Sequence, residues 1–140
     1  MKVFLVFAAV AALAYAAAVG LTNEKIVEIR QKAKACIEQE GITKEQANAL
    51  KAGDFTDTDP KVKCFANCFL EKSGFVINGQ VQPAVVLAKL GLLVGKDLVK
   101  DVQAKCDSVM GADKCDTSFQ LYKCYRTKLP AHFEEEIKKI

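Results

Sequence analysis

The 140-residue sequence has few of the residues from which catalytic and metal sites are most often built. It contains one histidine, His132, and no tryptophan. A zinc site or a catalytic base beside a nucleophile needs several such groups held together, and a single histidine near the end of the chain does not supply them. We therefore expect no enzyme activity, including that of a small secreted lipase, and no metal or other cofactor.

An excess of one charge is also missing. The formal net charge is +3, and the Lys and Asp/Glu residues alternate along the chain instead of forming blocks. Because a nucleic-acid-binding protein usually has a basic stripe, we expect no nucleic-acid partner. With only three prolines, no internal repeat and no low-complexity linker, residues 19–140 are predicted to form a single domain.

The one long apolar run lies at the N-terminus. Lys2 is followed by an unbroken apolar stretch over residues 3–13 and then by small residues as far as Ala18. This order is typical of a secretory signal peptide, so we predict that residues 1–18 are removed, by cleavage after Ala16 or Ala18. The alternative is a membrane anchor, but the run is short and rich in weakly hydrophobic alanine.

Six cysteines follow this run: Cys36, Cys64, Cys68, Cys106, Cys115 and Cys124. An even number in an exported chain predicts disulfides. Cys64 and Cys68 are four residues apart on one predicted helix, too far for a bridge, and Cys115 and Cys124 lie on opposite sides of another. Excluding these two pairs leaves 10 of the 15 pairings open.

The rest of the sequence has helical periodicity and recognisable helix ends. Thr22, Thr43 with Gln46, Asp59 with Pro60, Gln82 with Pro83, and Asp113 are start signals. Together with the interruption at Gly95, they predict six helices, at about residues 23–40, 44–52, 60–73, 84–92, 96–110 and 114–128.

Several local features accompany these helices. Asn78-Gly79 indicates a turn, which could close a small hairpin over residues 75–81. The tail, residues 131–140, is predicted to be a short helix or a strap on the domain. Exposed positions are predicted at Lys63, Asn67 and Glu71 on the third helix, and at Glu134, Glu135, Glu136, Lys138 and Lys139 in the tail.

The gaps between successive cysteines are 27, 3, 37, 8 and 8 residues. This spacing closely resembles that of the six-cysteine insect odorant-binding proteins, also called pheromone/general odorant-binding proteins. The segment GDFTDTDPKVKCFANC also resembles the family's run into its third helix. The resemblance covers essentially all of the chain after the predicted signal peptide. It implies an all-α bundle of about six helices around an apolar pocket, with bridges Cys36–Cys68, Cys64–Cys115 and Cys106–Cys124.

Three bridges also bear on whether such a small domain can keep a pocket. A cavity costs stability because its lining loses contacts. Each bridge is expected to contribute about 2–4 kcal/mol, largely by restricting the unfolded chain. The bridges can therefore offset the cost of an apolar pocket.

The resemblance implies a secreted, extracellular carrier of odorants, pheromones or related lipophiles, in sensillar lymph or another body fluid. Its expected partners are a small hydrophobic ligand and a membrane odorant receptor, and it is expected to be a monomer or a weak homodimer. The alternative is a secreted helical interaction protein, such as a seminal, venom or cuticular factor, with no dedicated small-molecule ligand.

The resemblance, together with the helical spacing of Tyr122, Tyr125 and Leu129, gives eight candidate ligand contacts, each of which could instead belong to the plain core. They are Leu70, Phe75, Val81, Leu87, Tyr122, Tyr125, Leu129 and Phe133, whereas Phe65 and Phe69 are assigned to the core. The hydroxyls of Tyr122 and Tyr125 need partners if buried, and either could hold a ligand oxygen. Phe133 could close the pocket, and protonation of the neighbouring His132 could release the ligand as a pH switch.

Overall fold

A computed structural model of the protein describes residues 20–140, so the predicted signal peptide and its cleavage sites lie outside the described residues. The described chain has seven helices and a two-stranded hairpin, which confirms the predicted all-α fold. The elements are α1 (Asn23–Glu40), α2 (Lys44–Lys51), α3 (Pro60–Lys72), β1 (Val76–Ile77), β2 (Gln80–Val81), α4 (Pro83–Val94), α5 (Lys96–Cys106), α6 (Lys114–Lys128) and α7 (Ala131–Lys138).

Most helices begin where the sequence predicts, because their first N–H groups are capped by local side chains. The Thr22 hydroxyl accepts from the backbone N–H of Lys25 at the start of α1. Thr43 and Gln46 form a reciprocal capping box at α2. Each of these bonds is made within three residues along the chain, which is why the sequence alone predicts them.

The hairpin over residues 75–81 is confirmed. Val76 pairs with Val81 in antiparallel register, and the turn between the strands is made by Asn78 and Gly79. Both turn residues have positive φ, 51° and 76°, the backbone conformation that Asn-Gly accepts at low cost. The hairpin reverses the chain between α3 and α4.

The predicted fifth helix ends earlier than expected. The sequence pattern predicts a helix as far as Met110, but α5 ends at Cys106. The residues that follow instead bond to side chains in the first turn of α6: the Gly111 N–H donates to the Thr117 hydroxyl, and the Ala112 N–H donates to the Asp116 carboxylate. These bonds require the chain to leave the helix before Gly111, and a Cβ on Gly111 would overlap the backbone of α6.

Three disulfides join four of the helices. Cys36–Cys68 joins α1 to α3, Cys64–Cys115 joins α3 to α6, and Cys106–Cys124 joins α5 to α6. This is the pairing that the resemblance implies. Since α3 and α6 each carry two bridges and pack closely on each other, they form the centre of the fold.

The tail is a short helix, α7, that packs on α4. The prediction of a fully exposed charged face is wrong at Glu136, which is buried. Its carboxylate accepts from the backbone N–H of Leu21 at 2.9 Å and from the Lys139 ammonium at 3.0 Å. Leu21 lies 115 residues away in sequence, so no local pattern could have indicated this contact.

Asn67 is also buried, although the sequence places it in an exposed stripe of α3. The Ser118 hydroxyl, on α6, donates to the Asn67 side-chain carbonyl at 2.7 Å, and the Asn67 amide donates to Glu71. The close packing of α3 on α6 buries this face, and the hydrogen bonds satisfy its polar groups.

The core consists of two apolar clusters. The first cluster has as its buried members Leu70, Val76, Val86, Leu90, Val99, Val102, Cys106, Leu121, Tyr125 and Leu129. The second has Cys36, Ile42, Leu50, Val62, Phe65, Ala66, Cys68 and Phe119. Phe69 and Tyr122 pack against both clusters and so lie between them. Among the described helices, none combines the length and the apolar character that crossing a membrane requires.

Candidate ligand-binding site

All eight residues assigned to the ligand lie in or against the first cluster. Leu70, Tyr125 and Leu129 are buried members of it. The other five are partly buried and pack against it: Phe75, Val81, Leu87, Tyr122 and Phe133. The structure thus brings together residues from α3, the hairpin, α4, α6 and α7. Whether they enclose a ligand remains a prediction.

The fold explains why these residues meet. Tyr122, Tyr125 and Leu129 are three and four residues apart along α6 and its C-terminal end, so they share one face. The hairpin returns the chain so that Phe75 and Val81, on either side of its turn, approach the same face. Phe133 comes from α7 at the end of the chain.

Several members of the first cluster were not singled out from the sequence. These are Val76, Val86, Leu90, Val99, Val102 and Leu121. A signal was present, because Val86 and Leu90 are four apart on α4 and Val99 and Val102 are three apart on α5. Of the two residues assigned to the core, Phe65 is a buried member of the second cluster, while Phe69 is partly buried and packs against both.

The hydroxyls of the two tyrosines are already engaged within the protein. Tyr122 donates to the backbone carbonyl of Leu50 at 3.1 Å, and Tyr125 donates to the Asp107 carboxylate. Burial raises the pKa of both phenols, so both stay neutral. Each hydroxyl oxygen can still accept a hydrogen bond, but its proton is used. A ligand that accepts from either tyrosine would have to replace a partner in the protein.

A buried cation lies one turn after Tyr122 on α6. The Arg126 side chain is only 7% exposed. Its Nη1 pairs with the Glu134 carboxylate of α7 at 2.8 Å, and its Nη2 donates to the Lys51 carbonyl at the end of α2 at 3.1 Å. Within residues 20–140, its Nε has no hydrogen-bond partner. Sequence reasoning missed Arg126, because an arginine in the last turn of a helix is usually solvated.

A second cation, Lys89, lies at the edge of the cluster but is exposed to solvent. Its ammonium donates to the Ser73 carbonyl at 2.6 Å and lies 5.6 Å from the centre of the Phe75 ring. Although the residue as a whole is exposed, its ammonium is partly desolvated at this contact, which lowers the pKa of Lys89, and the neighbouring positive charges of Lys32 and Lys25 on α1 lower it further.

His132 is exposed on α7, and its Nε2 lies 3.1 Å from the Leu93 carbonyl of α4. Because a carbonyl only accepts, Nε2 must carry a proton for this bond, and it does so equally in the charged imidazolium. Protonation of His132 would therefore preserve this contact. The contact gives no support to the pH-switch hypothesis.

Two clefts open on the surface of the described residues, away from the eight predicted positions. One, of about 240 Å³, is lined mainly by polar residues of α1, α3 and α6 around the Cys64–Cys115 bridge. The other, of about 590 Å³, lies between the start of α1 and the end of the chain, at Leu21, Ile26, Val27, Arg30 and Lys139. No group of three or more metal-ligating side chains is found within residues 20–140.

Comparison with known proteins identifies the family. The family model described as PBP/GOBP matches residues 19–128. General odorant-binding protein 56a of Drosophila melanogaster is 38% identical over 119 residues, which cover 85% of this chain and 86% of that protein.

Solved structures have the same fold. The fatty acid binding protein from the oral disk of the blowfly Phormia regina is 37% identical, with a TM-score of 0.69 over 79% of this chain and 96% of that one. Odorant Binding Protein 7 of Anopheles gambiae, solved with four disulfide bridges and an azo compound, has a TM-score of 0.67 over 86% of this chain and 97% of that one. At 21% identity, the mosquito protein supports the fold alone.

Proposed function

The chain belongs to the PBP/GOBP family of insect odorant-binding proteins, and we propose that it carries its small hydrophobic ligand against the first cluster. The observation that carries this assignment is the convergence of all eight predicted residues on that cluster. Ligand sites in proteins are mostly apolar with a few polar groups that fix orientation, and Tyr122, Tyr125 and Arg126 are such groups here.

The partly buried side chains around the first cluster supply the driving force. They include Phe75, Val81, Leu87, Tyr122 and Phe133, and each keeps some apolar surface in contact with water. An aliphatic ligand placed among them would remove its own surface and theirs from water. This contributes about 0.8 kcal/mol for each methylene buried.

Odorants, pheromones and related lipophiles are the proposed ligands, and fatty acids are among them. The blowfly relative is named as a fatty acid binding protein, and it is 37% identical to this chain. An acyl chain matches the aliphatic members of the first cluster, and its carboxylate would need a cation or hydrogen-bond donors at one end.

We propose that the mature protein is residues 19–140, released into sensillar lymph or another body fluid after removal of residues 1–18. There it acts as a monomer or a weak homodimer and delivers its ligand to a membrane odorant receptor. It is proposed to have no catalytic activity, and its one histidine, His132, contacts a backbone carbonyl.

The comparisons do not favour the alternative of an interaction protein without a small-molecule ligand, because the matched relatives are odorant-binding proteins and one of them is named as a fatty acid binding protein.

Two matched truncations test the site. Leu87 and Ile37 are both partly buried, but Leu87 packs against the first cluster and Ile37 against the second. We expect L87A to weaken the binding of a fluorescent hydrophobic probe by about tenfold, because it removes apolar contact area from the ligand. I37A should leave the affinity close to that of the unmodified protein. Equal losses in both variants would contradict the assignment of the ligand to the first cluster.

A further inference from the structure

The buried guanidinium of Arg126 is not explained by the packing of the apolar clusters. We propose that Arg126 binds the carboxylate head group of an acidic ligand, and that Glu134 occupies Arg126 as an exchangeable counter-ion when no such ligand is bound. This inference rests on the proposed carrier function and specifies the head-group chemistry that the carrier selects.

The hydrogen bonding of Arg126 is incomplete. A buried polar group normally has a partner, because leaving a charged donor unpaired costs more than an ordinary hydrogen bond contributes. Arg126 is nearly fully buried, yet within residues 20–140 its Nε–H has no acceptor. Glu134 contacts only Nη1, through one carboxylate oxygen. The guanidinium is therefore incompletely paired.

Arg126 lies on α6, among residues that are predicted to contact the ligand. It is one turn after Tyr122 and three residues before Leu129, both of which are predicted ligand residues in or against the first cluster. The Tyr122 hydroxyl donates to the Leu50 carbonyl and Arg126 donates to the next carbonyl, that of Lys51, so the two polar groups lie side by side. α7, which supplies Glu134, also supplies Phe133 to the cluster. Arg126 thus lies beside Tyr122, where α2 and α7 meet α6.

A carboxylate has the chemistry that the missing partner of Arg126 requires. The planar fork of a guanidinium matches the two oxygens of a carboxylate, and such pairs are stronger than bonds to neutral oxygens. The Glu134 side chain is 49% exposed, so it can leave Arg126 for water at small cost. A ligand carboxylate that replaces Glu134 keeps the buried site neutral, whereas an alcohol or ester would not need the exchange.

Lys89 is the rival cation. Its ammonium lies beside Phe75, which packs against the first cluster, but Lys89 is exposed and already donates to the Ser73 carbonyl. Lys25 and Lys32 of α1 share its surroundings, together with Glu28. Because water screens a charge at such a position, it would attract a carboxylate only weakly. Replacing Arg126 and replacing Lys89 can therefore be distinguished by their effects on the binding of the same ligands.

The test compares a long-chain fatty acid with the alcohol of the same chain length, at a pH where the acid is ionised. Each competes with one fluorescent hydrophobic probe for the full mature protein. The variants are R126Q, R126K, E134Q and K89M. K63Q is the matched control, because Lys63 forms a partly buried ion pair with Asp116 between α3 and α6. Thermal unfolding of each variant confirms that it is folded.

We expect R126Q to weaken acid binding by about tenfold, since it removes a charge-assisted hydrogen bond, and to change alcohol binding by less than about twofold. R126K should give an intermediate acid affinity, because it keeps the charge but not the planar fork. E134Q should strengthen acid binding by roughly threefold, since it removes the competing carboxylate, and should leave the alcohol unaffected. K63Q should change neither.

Three outcomes would overturn the inference. R126Q could weaken acid and alcohol equally, as a purely structural residue would. The preference for the acid over the alcohol could be abolished by K89M and not by R126Q. E134Q could weaken acid binding or leave it unchanged, which would contradict the exchange. The proposed function fails separately, if the unmodified protein binds neither the acid nor the alcohol.

Discussion

At the scale of single residues, several buried polar side chains of the described fold are satisfied by partners on other elements. Ser118 and Asn67 pair across α3 and α6, and Tyr125 on α6 pairs with Asp107 just after α5. Because both partners must be present for either to be buried, such pairs fix the relative positions of the helices that carry them.

The Asp107–Tyr125 pair makes a prediction about titration. Burial raises the pKa of the Asp107 carboxyl, and the hydrogen bond from Tyr125 lowers it in part, because the hydroxyl stabilises the carboxylate. We therefore expect Y125F to raise the pKa of Asp107 further, measured by carboxyl carbon NMR. Y122F is the control, because Tyr122 donates to Leu50 instead. An unchanged Asp107 pKa in Y125F would show that the bond does not stabilise the ionised form.

The raised pKa of the Asp107 carboxyl also makes the stability of the protein depend on pH. A carboxyl whose pKa is raised by folding binds its proton more tightly in the folded state. The contribution of Asp107 to the free energy of unfolding therefore falls as pH rises from its unfolded pKa through its folded pKa. In Y125F this fall should be larger than in the unmodified protein.

At the scale of elements, the sequence predicted best what neighbouring residues determine. The capped starts at Thr22 and Thr43 were correct because the bonds that make them span three residues. Asn67 and Glu136 were placed wrongly because their partners lie 51 and 115 residues away. The early end of α5 has a different cause, because the bonds of the following loop are local: the Gly111 and Ala112 N–H groups donate to side chains in the first turn of α6.

The sequence also predicted only part of the candidate site. The family resemblance and the helical spacing indicated its eight positions, whereas the cluster that they share was found only in the structure. Arg126 was missed, because its burial depends on α2 and α7 together, through Lys51 and Glu134. No pattern within α6 distinguishes it from an ordinary solvated arginine.

The docking of α7 depends on Glu136 and gives a pH-dependent prediction. The hydrogen bond from the Leu21 N–H, with help from Lys139, holds the pKa of Glu136 below its usual value. Its stabilising contribution is therefore complete above the unfolded pKa and is lost as pH falls through the folded pKa. We expect E136Q to be less stable by about 1–2 kcal/mol near neutral pH, by chemical denaturation, with the difference disappearing in acid.

E135Q is the matched control for this experiment. Glu135 is the preceding residue on α7, and its ion pair with Lys138 is exposed, so removing its charge should cost little. A deficit in E136Q that persists unchanged in acid would mean that the carboxylate charge is not what holds α7 against the start of α1.

At the scale of the whole molecule, the three bridges close loops of different length. Cys64–Cys115 spans 51 residues, Cys36–Cys68 spans 32 and Cys106–Cys124 spans 18. If the bridges act by restricting the unfolded chain, the bridge that closes the longest loop should stabilise the folded protein most. The double variant C64S/C115S should lose about 1 kcal/mol more unfolding free energy than C106S/C124S, with C36S/C68S between them. The reverse order, in chemical denaturation under oxidising conditions, would show that native-state contacts dominate.

The placement of the bridges divides the described fold into two parts. Disulfides link α1, α3, α5 and α6 to one another, whereas α2, α4 and α7 carry no bridge and are held against the fold by packing and polar contacts. Both α4, through Val86, Leu87 and Leu90, and α7, through Phe133, contact the first cluster. Brief local opening of these two helices would uncover that cluster without breaking any sulfur bond, so their amide hydrogens should exchange with deuterium faster than those of the four linked helices.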